Sequence, residues 1–305
     1  MTFGWSISDL FTNRLYRRGK KALVLEGGGM RGVFLTGVLQ AFTDRGYFPW
    51  KCIIGSSAGA LTGAAYAAGQ IHLARDAFFT HLISGDFISL PNIFRPEKHI
   101  LDLDWMIDMV ISGDEPLDLN RLKKSCPLTI TATRITEHRP PETIYLNSKT
   151  DDVITALKAS AAIPYLYRGF VRYRGFNLLD GAILDPIPFK KALAMGFDER
   201  DIVVIVSRHR EYRKRQESFW IKTLYENYYR EEKYKCLVNT LKNRFNHYNA
   251  VLDDLYGKHT GIAVINPPEE LNVNRLTRDR DKLIVGFELG VEAAKRWLKK
   301  DVAKT

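Results

Sequence analysis

Residues 52–67 read CIIGSSAGALTGAAYA, a short apolar run followed by a turn of small residues and a helical pattern. The apolar run Cys52–Ile54 predicts a buried strand, and the residues from Ala58 to Ala68 predict a helix. Between them the sequence matches G-x-S-x-G, the sharp strand-to-helix turn that can present a nucleophilic serine. The pattern therefore indicates a nucleophile elbow centred on Ser57, in which Gly55 and Gly59 let the strand and the helix pass closely.

Two other interpretations of this stretch are open. A turn of small residues can serve packing alone, and Ser56 is a second candidate nucleophile, although its neighbours Ile54 and Ala58 do not fit the pattern. The twenty residues from Cys52 to Ile71 also carry no charge, which is the length of a membrane span. Their content of Gly, Ala, Ser and Thr, and their division into strand, turn and helix, favour a segment of a folded domain.

A glycine-rich loop precedes the elbow. The run Ala22–Leu25 predicts the first strand, a helical pattern runs from about Val33 to Thr43, and between them lies Gly27-Gly28-Gly29-Met30-Arg31-Gly32. Consecutive glycines leave backbone N–H groups uncovered, so the loop can bind an anion. The spacing also satisfies G-x-G-x-x-G, but a dinucleotide site requires an acidic residue at the end of the second strand. Here that strand leads into the elbow, so the loop is interpreted as an oxyanion hole with Arg31 as a nearby positive charge.

The remaining elements alternate between strands and helices. Further strands are predicted at Leu128–Thr133, Asn177–Leu179, Ile202–Val206 and Gly261–Ile265. Further helical structure is predicted at Asp151–Ala162, from Tyr212 to Lys258 and at Arg278–Lys300. This alternation predicts an α/β fold with a mostly parallel central sheet flanked by helices. We expect an N-terminal arm at residues 1–20 and one domain over 21–305. Its parts are a motif-bearing core at 21–206, a basic helical segment at 208–258 as a C-terminal embellishment, and a closing strand and helix at 260–300.

A serine hydroxyl needs a base, which is usually a histidine held by a carboxylate. His209, His247 and His259 follow in an order that would permit a triad, but none of them lies in a motif that demands catalysis. Asp180 follows the predicted strand Asn177–Leu179 and precedes Gly181-Ala182, so it occupies a tight turn at a strand end. An ordinary Asp-Gly turn is the alternative interpretation.

Four features in this order resemble the patatin-like phospholipase family. They are the glycine loop with its arginine (27–32), the elbow (55–59), the helix end Ala159-Ser160-Ala161-Ala162-Ile163-Pro164 and the turn Asp180-Gly181-Ala182. The resemblance covers about 21–206, and the tail resembles bacterial members. It implies a three-layer patatin-like sandwich, and a Ser57–Asp180 dyad that acts on acyl lipids through an acyl-enzyme intermediate. It implies neither a metal nor a cofactor, and the sequence contains no metal-ligand cluster.

The composition is that of a globular protein, with 45% hydrophobic and 26% charged residues. Its three cysteines are far apart, which favours a reducing compartment, and the first residues show no signal-peptide pattern. We therefore expect a cytoplasmic protein, with peripheral attachment to a membrane as a further expectation.

The net charge of +10 is concentrated in one segment, because eleven Lys and Arg accompany five Asp and Glu between Arg208 and Arg244. Aromatic residues such as Phe219 and Trp220 are interleaved with them. The segment is interpreted either as solvated helix with core-facing aromatics or as a contact with an anionic membrane, to which the arm at 1–20 would add. Nucleic acid attracts the same residue types but is not expected as a partner.

Three functions are consistent with these features. The favoured one is hydrolysis of acyl lipids, of the phospholipase or lysophospholipase type, through the Ser–Asp dyad. The second is a serine esterase that uses a histidine base on water-soluble esters. The third is an α/β protein that binds anions or nucleic acid without catalysis.

Overall fold

The computed structural model describes residues 19–95, 97–268 and 271–302, so the predicted arm at 1–20 lies almost wholly outside the described residues. The strands are β1 (Lys21–Leu25), β2 (Trp50–Ser56), β3 (Leu128–Ile135), β4 (Glu142–Asn147), β5 (Val171–Tyr173), β6 (Phe176–Asp180), β7 (Ile202–Ile205) and β8 (Ala263–Ile265). The helices are α1 (Gly32–Asp44), α2 (Ala58–Ala67), α3 (Ile71–Asp76), α4 (Leu103–Ser112), α5 (Leu119–Lys124), α6 (Val153–Ala161), α7 (Phe189–Ala194), α8 (Phe219–Tyr228), α9 (Lys235–Asp253) and α10 (Arg280–Val302).

Within the described residues the eight strands form one sheet in the order β5-β6-β3-β2-β1-β7-β8, with β4 paired to β3 outside this path. The pairings that join β3, β2, β1, β7 and β8 are parallel. The pairings that involve β4, β5 and β6 are antiparallel. The prediction of an α/β fold with a mostly parallel central sheet flanked by helices is confirmed.

Two apolar cores lie on the two faces of this sheet. Side chains alternate between faces along a strand, and β1 accordingly sends Leu23 and Leu25 into one core and Ala22 and Val24 into the other. The first core is completed by α1, α2, α6 and α10. The second is completed by α7 and by the carboxyl half of α9. Helices therefore cover both faces, which gives three layers.

Strand β3 brings together the ends of two strands, β2 and β6, on which the site depends. One edge of β3 is occupied along most of its length by β4. The other edge is shared: β2 runs parallel to it as far as the pair Ser56–Thr131, and β6 runs antiparallel to it from the pair Asp180–Ala132. Because Thr131 and Ala132 are adjacent, the carboxyl ends of β2 and β6 meet end to end in the middle of the sheet.

The elements predicted from sequence are all present, with ends displaced by a few residues. The structure adds β4, β5, α7 and the helices between residues 71 and 124, for which the sequence made no prediction. The segment Tyr212–Lys258, which was predicted to be helical throughout, begins with irregular chain and is divided into α8 and α9. The uncharged stretch Cys52–Ile71 forms β2 and α2, and within the described residues no helix is both long and apolar enough to cross a bilayer.

Candidate active site

Ser57 occupies a strained turn between β2 and α2. Its φ of 52° and ψ of −125° are the angles of the first central residue of a type II′ turn, which normally requires glycine. Three hydrogen bonds hold this conformation: the Ser57 amide donates to Ser160 Oγ at 2.8 Å, and the Ser57 carbonyl accepts from the amides of Ala60 (2.9 Å) and Leu61 (3.2 Å). The turn therefore stores strain that the neighbouring helix α6, through Ser160, helps to maintain.

Position 59, two residues after Ser57, is packed so closely that only glycine fits there. A Cβ on Gly59 would lie 2.5 Å from the carbonyl oxygen of Leu25, at the end of β1. Helix α2 thus begins in direct contact with the backbone of the neighbouring strand. Since the first turn of a helix is the positive end of its dipole, the Ser57 hydroxyl lies where a developing negative charge is stabilised.

Asp180 is the hydrogen-bond partner of Ser57. The Ser57 hydroxyl donates to Asp180 Oδ2 at 2.8 Å, and the other carboxylate oxygen, Oδ1, accepts from the Ala182 amide at 2.7 Å. The main chain of Asp180 is fixed as well, because its carbonyl accepts from Thr133 Oγ1 (2.8 Å) and its amide donates to Ala162 (2.9 Å). The carboxylate is therefore held with one oxygen aimed at the serine.

Burial changes the pKa of Asp180. Asp180 and Ser57 are only 5% and 4% exposed. Loss of water raises the pKa of the Asp180 carboxyl to about 6, against opposing effects of the Ala182 amide, the Ser57 hydroxyl and the guanidinium groups of Arg275 and Arg244. A carboxylate with a raised pKa is a stronger base than an exposed one, while it stays mostly ionised at neutral pH.

The glycine loop lies directly against the serine. A Cβ on Gly27 would be 3.0 Å from the Cβ of Ser57. Two amides of the loop are already engaged, since Gly27 donates to Pro186 O at 3.0 Å and Met30 donates to Arg275 O at 3.2 Å. The amides of Gly28 and Gly29 find no acceptor in the part of the chain that the structure describes. These two amides are therefore candidate oxyanion donors, whereas the sequence predicts an oxyanion hole from the whole loop 27–32.

Arg31 is bonded to buried polar groups beside the glycine loop. Its Nε donates to Ser207 Oγ at 3.4 Å, and Ser207 Oγ in turn donates to Glu26 Oε2 at 2.8 Å. Tyr248 of α9 donates to the other oxygen of Glu26 at 2.6 Å. Burial and the charges of Arg208 and Arg275 lower the pKa of Arg31 to about 10. Arg31 thus supports the glycine loop from behind.

An apolar cavity of about 670 Å³ opens from Ser57. Helices α2, α3 and α4 supply most of its wall, with side chains such as Leu61, Leu73, Trp105, Met106 and Met109. Gly29, Met30 and Arg275 lie at the wall as well, and His81 is part of it. A volume in this range is typical of sites for small molecules. The cavity therefore offers apolar surface to a hydrocarbon chain, and it has polar groups at Ser57.

The other candidate nucleophile, Ser56, and the candidate histidine bases make no hydrogen bond to the Ser57 hydroxyl. Ser56 is fully buried in β2, and its hydroxyl has no hydrogen-bond partner among the residues described. His247 contacts the carbonyl of Leu184, and His259 bonds to Glu199 at 2.7 Å. His209 stacks edge-on with the ring of Tyr212. The hydroxyl of Ser57 is directed to Asp180 and to none of these imidazoles.

Sequence reasoning assigned no role to Ser160 or Arg275. Ser160 lies in the small-residue helix end that the sequence had singled out, and the contact between its hydroxyl and the Ser57 amide explains a polar residue there. Arg275 carried no sequence signal, because its place beside Gly29 depends on the path of a loop. Within the described ranges no group of three His, Cys, Asp or Glu side chains could hold a metal ion.

Two family models match the chain. A model described as patatin-like phospholipase matches residues 23–193, which include Ser57 and Asp180. A second model, described as a domain of unknown function (DUF6363), matches residues 234–300, which include Tyr248 and Arg275.

Relatives cover most of the chain. The protein YjjU of Escherichia coli (strain K12) is 29% identical over 284 residues, an alignment that covers 91% of this chain and 76% of that protein. A protein of Invertebrate iridescent virus 6, named probable lipid hydrolase 463L, is 24% identical over 297 residues, 93% of this chain and 91% of that one. Among solved structures, VipD from Legionella pneumophila superposes with a TM-score of 0.52 at 15% identity, over 92% of this chain and 67% of that one. At that identity the likeness to VipD concerns the fold.

Proposed function

The chain belongs to the patatin-like phospholipase family, and on that premise we propose that it is a lipid acyl hydrolase, a carboxylic ester hydrolase that uses Ser57 and Asp180 as a catalytic dyad. The observation that carries the proposal is the 2.8 Å hydrogen bond from the Ser57 hydroxyl to Asp180 at the wall of an apolar cavity. The viral relative that bears the name probable lipid hydrolase aligns along nearly the whole chain and supports the same reaction class.

The first half of the reaction forms an acyl-enzyme. Asp180 Oδ2 accepts the proton of the Ser57 hydroxyl while Ser57 Oγ attacks the carbonyl carbon of the ester. The carbonyl oxygen becomes an oxyanion, which the amides of Gly28 and Gly29 and the first turn of α2 stabilise. When the tetrahedral intermediate collapses, the carbon–oxygen bond to the alcohol breaks, and Asp180 returns its proton to the leaving alkoxide.

The second half releases the fatty acid. Water takes the place of the alcohol, Asp180 accepts a proton from it, and the resulting hydroxide attacks the acyl-enzyme carbonyl. Collapse of the second tetrahedral intermediate expels Ser57 Oγ, which recovers the proton from Asp180. The hydrogen bond from the Ala182 amide holds the carboxylate in one orientation through both steps.

The apolar wall of the cavity favours a long acyl chain over a small water-soluble ester. Transfer of apolar surface out of water contributes about 25 cal/mol per Å², so a chain lying along α2, α3 and α4 would supply much of the binding energy. This supports a lipid substrate, with phospholipid and lysophospholipid as the classes proposed.

A membrane surface is the partner that we propose for delivery of this substrate. In α8, within the basic segment, the side chains of Phe219 and Trp220 are 73% and 79% exposed. Phe94, on a short turn that Arg168 holds through backbone contacts, is 88% exposed. Exposed aromatic residues among Lys and Arg are typical of contacts with anionic lipid surfaces.

Labelling with a fluorophosphonate probe tests the nucleophile. We expect the unsubstituted protein and Ser56→Ala to be labelled and Ser57→Ala to remain unlabelled. Ser56→Ala is a matched control, because it removes a neighbouring buried hydroxyl that has no partner in the described structure. Failure of the folded, unsubstituted protein to react would remove the basis for a serine hydrolase.

A comparison of base variants separates the dyad from a histidine-dependent esterase. Hydrolysis of lysophospholipid and of p-nitrophenyl butyrate would be measured for Asp180→Asn and for alanine substitutions of His81, His209, His247 and His259. The dyad predicts that only Asp180→Asn loses both activities. If one histidine proves as necessary as Ser57, then the dyad is wrong and the histidine is the base.

A further inference from the structure

Arg275 brings a positive charge from the C-terminal part of the chain to the wall of the active-site cavity. Its carbonyl accepts the hydrogen bond of the Met30 amide at 3.2 Å, so its backbone is joined to the glycine loop. Gly29 has a positive φ of 58°, and a Cβ there would lie 2.8 Å from the carbonyl oxygen of Arg275. The loop and the Arg275 segment are therefore in contact, and Arg275 lines the same cavity as Ser57.

The guanidinium of Arg275 interacts electrostatically with Asp180 and Glu217 but is paired with neither carboxylate. Among the described residues it makes neither an ion pair nor a hydrogen bond, although it is half-buried. The nearest carboxylates are engaged: Glu217 accepts from Arg244 Nε at 2.8 Å and Nη2 at 2.6 Å, and Asp180 accepts from Ser57 and Ala182. A guanidinium that is partly removed from water loses hydration that only an anion can fully replace.

Two further basic side chains, Arg244 and Lys214, lie close enough to Arg275 to interact with it electrostatically. Arg244 is 9% exposed, and the Lys214 side chain is 13% exposed, with its Nζ 3.8 Å from Glu217. Burial, together with the charges of Arg275 and Arg244, lowers the pKa of Lys214 to about 6. The Lys214 amine is therefore mostly neutral at neutral pH, and the repulsion that remains is between the guanidinium groups of Arg275 and Arg244. A bound anion would relieve this repulsion.

Arg31 was expected from sequence to supply a positive charge at the site, but it bonds to Ser207 and is not among the residues that line the cavity. We propose that Arg275, with Arg244 as a second guanidinium nearby, forms an anion subsite that binds the phosphate of a phospholipid or lysophospholipid whose ester lies at Ser57. The proposal rests on the proposed function. It makes Arg275 the residue that selects phosphate-bearing lipids over neutral acylglycerols.

The test compares two esters with the same short acyl chain, monooctanoyl glycerophosphocholine and monooctanoylglycerol, below their critical micelle concentrations. The measured quantity is the ratio of kcat/KM for the phosphate ester to that for the neutral ester. Arg275→Gln is expected to lower this ratio about tenfold or more, the effect of losing charge-assisted hydrogen bonds. Arg280→Gln, which removes an exposed cation five residues away, is expected to leave the ratio within about twofold.

Arg275→Lys keeps the charge but loses the planar fork, so an intermediate ratio is expected. It also replaces Arg275→Gln if the latter fails to fold, and in that case an unchanged ratio in Arg275→Lys counts against the subsite. An unchanged ratio in a folded Arg275→Gln would overturn the proposal. So would an equal loss on both esters with a shifted pH profile, since Arg275 would then act only on Asp180.

Inorganic phosphate distinguishes a lipid headgroup from a free anion. It is expected to inhibit hydrolysis of the neutral ester by the unsubstituted protein and to inhibit Arg275→Gln several-fold less. Inhibition that depends on Arg275, together with an unchanged ester ratio, would mean that the subsite takes only the free anion, which overturns the lipid assignment. Absence of any hydrolysis or fluorophosphonate labelling in the unsubstituted protein is a different result, which refutes the proposed function itself.

Discussion

Replacement of Asp180 by Asn is expected to abolish hydrolysis and to stabilise the protein at neutral pH. Asn has nearly the same shape, and its Oδ1 can still accept from the Ala182 amide, a bond of 2.7 Å in the native side chain. Its amide nitrogen can donate to the Ser57 hydroxyl, which reverses the direction of the 2.8 Å bond. The substitution therefore removes the buried charge and the base while preserving the packing.

The size of the effect follows from the pKa of Asp180, which burial raises from 3.8 to about 6. Between these values the folded protein binds more protons at this carboxyl than the unfolded chain, so the free energy of unfolding falls as the pH rises. The loss is complete above pH 6 and amounts to about 3 kcal/mol, from roughly two pKa units at 1.36 kcal/mol each. Asn avoids this loss, so the variant should gain about that much at pH 8 and nothing at pH 3.

Urea unfolding at pH 4 and pH 8, with thermal melts alongside, measures the difference. For 305 residues a gain of about 3 kcal/mol corresponds to a rise in Tm of about 5 °C. Asp185→Asn is the matched control, because burial raises the pKa of Asp185 to about 6 as well, while its Oδ2 binds the hydroxyl of Tyr145 rather than Ser57. That variant should show a smaller gain, since Asp185 is more exposed, and keep its activity.

The same pKa sets the acid limb of the pH profile. Because Asp180 must be ionised to accept a proton, kcat/KM of the unsubstituted protein should rise through pH 6 and level off above it. The reasoning is refuted if Asp180→Asn is less stable than the parent at pH 8, or if its effect is equal at pH 4 and pH 8. A stabilised variant that still hydrolyses esters would refute the role of Asp180 as base.

Three further predictions concern the elbow and the surface. Ser57→Gly should be about 1–3 kcal/mol more stable than Ser57→Ala in urea unfolding, because glycine accepts a φ of 52° without strain; equal stabilities would contradict that strain. Ser160→Ala should cost about 1–3 kcal/mol and lower kcat, because it leaves the buried Ser57 amide without its acceptor; unchanged urea midpoints and kcat would show that the bond is dispensable. Phe219→Ser with Trp220→Ser should weaken sedimentation with anionic vesicles, whereas Phe176→Ser, 44% exposed on β6, should not; equal losses would argue against α8 as the contact.

Local pattern was sufficient to predict most elements of the sheet. The glycine loop, the elbow and the strands that precede them were predicted because small residues at fixed offsets leave few alternatives for the backbone. The short antiparallel strands β4 and β5 escaped prediction, since β4 has half-exposed, mixed side chains and β5 has only three residues. The sequence predicts that the helical segment begins at Tyr212, before the start of α8 at Phe219, because charge and aromatic content continue through the irregular chain at 212–218.

The meeting of Ser57 and Asp180 was anticipated through resemblance to a family rather than from periodicity. No spacing rule links residues 57 and 180, because they are brought together by the edge of β3, where β2 ends opposite Thr131 and β6 ends opposite Ala132. Strand register of this kind depends on pairing between distant parts of the chain. The pKa of Asp180 was equally out of reach, since it results from burial under several elements.

The C-terminal part of the chain belongs to the site more than its sequence suggested. From composition alone, the segment 208–258 was interpreted as an embellishment. Yet the Tyr248 hydroxyl donates a hydrogen bond to Glu26, next to the glycine loop. The Arg275 carbonyl accepts a hydrogen bond from the Met30 amide, and Arg275 lines the cavity. These residues lie in the region matched by the second family model, whereas Ser57 lies in the first. The glycine loop, which lies in the first matched region, therefore contacts residues of the second, and substitutions that loosen these contacts are expected to change the chemistry at Ser57 as well as the stability of the fold.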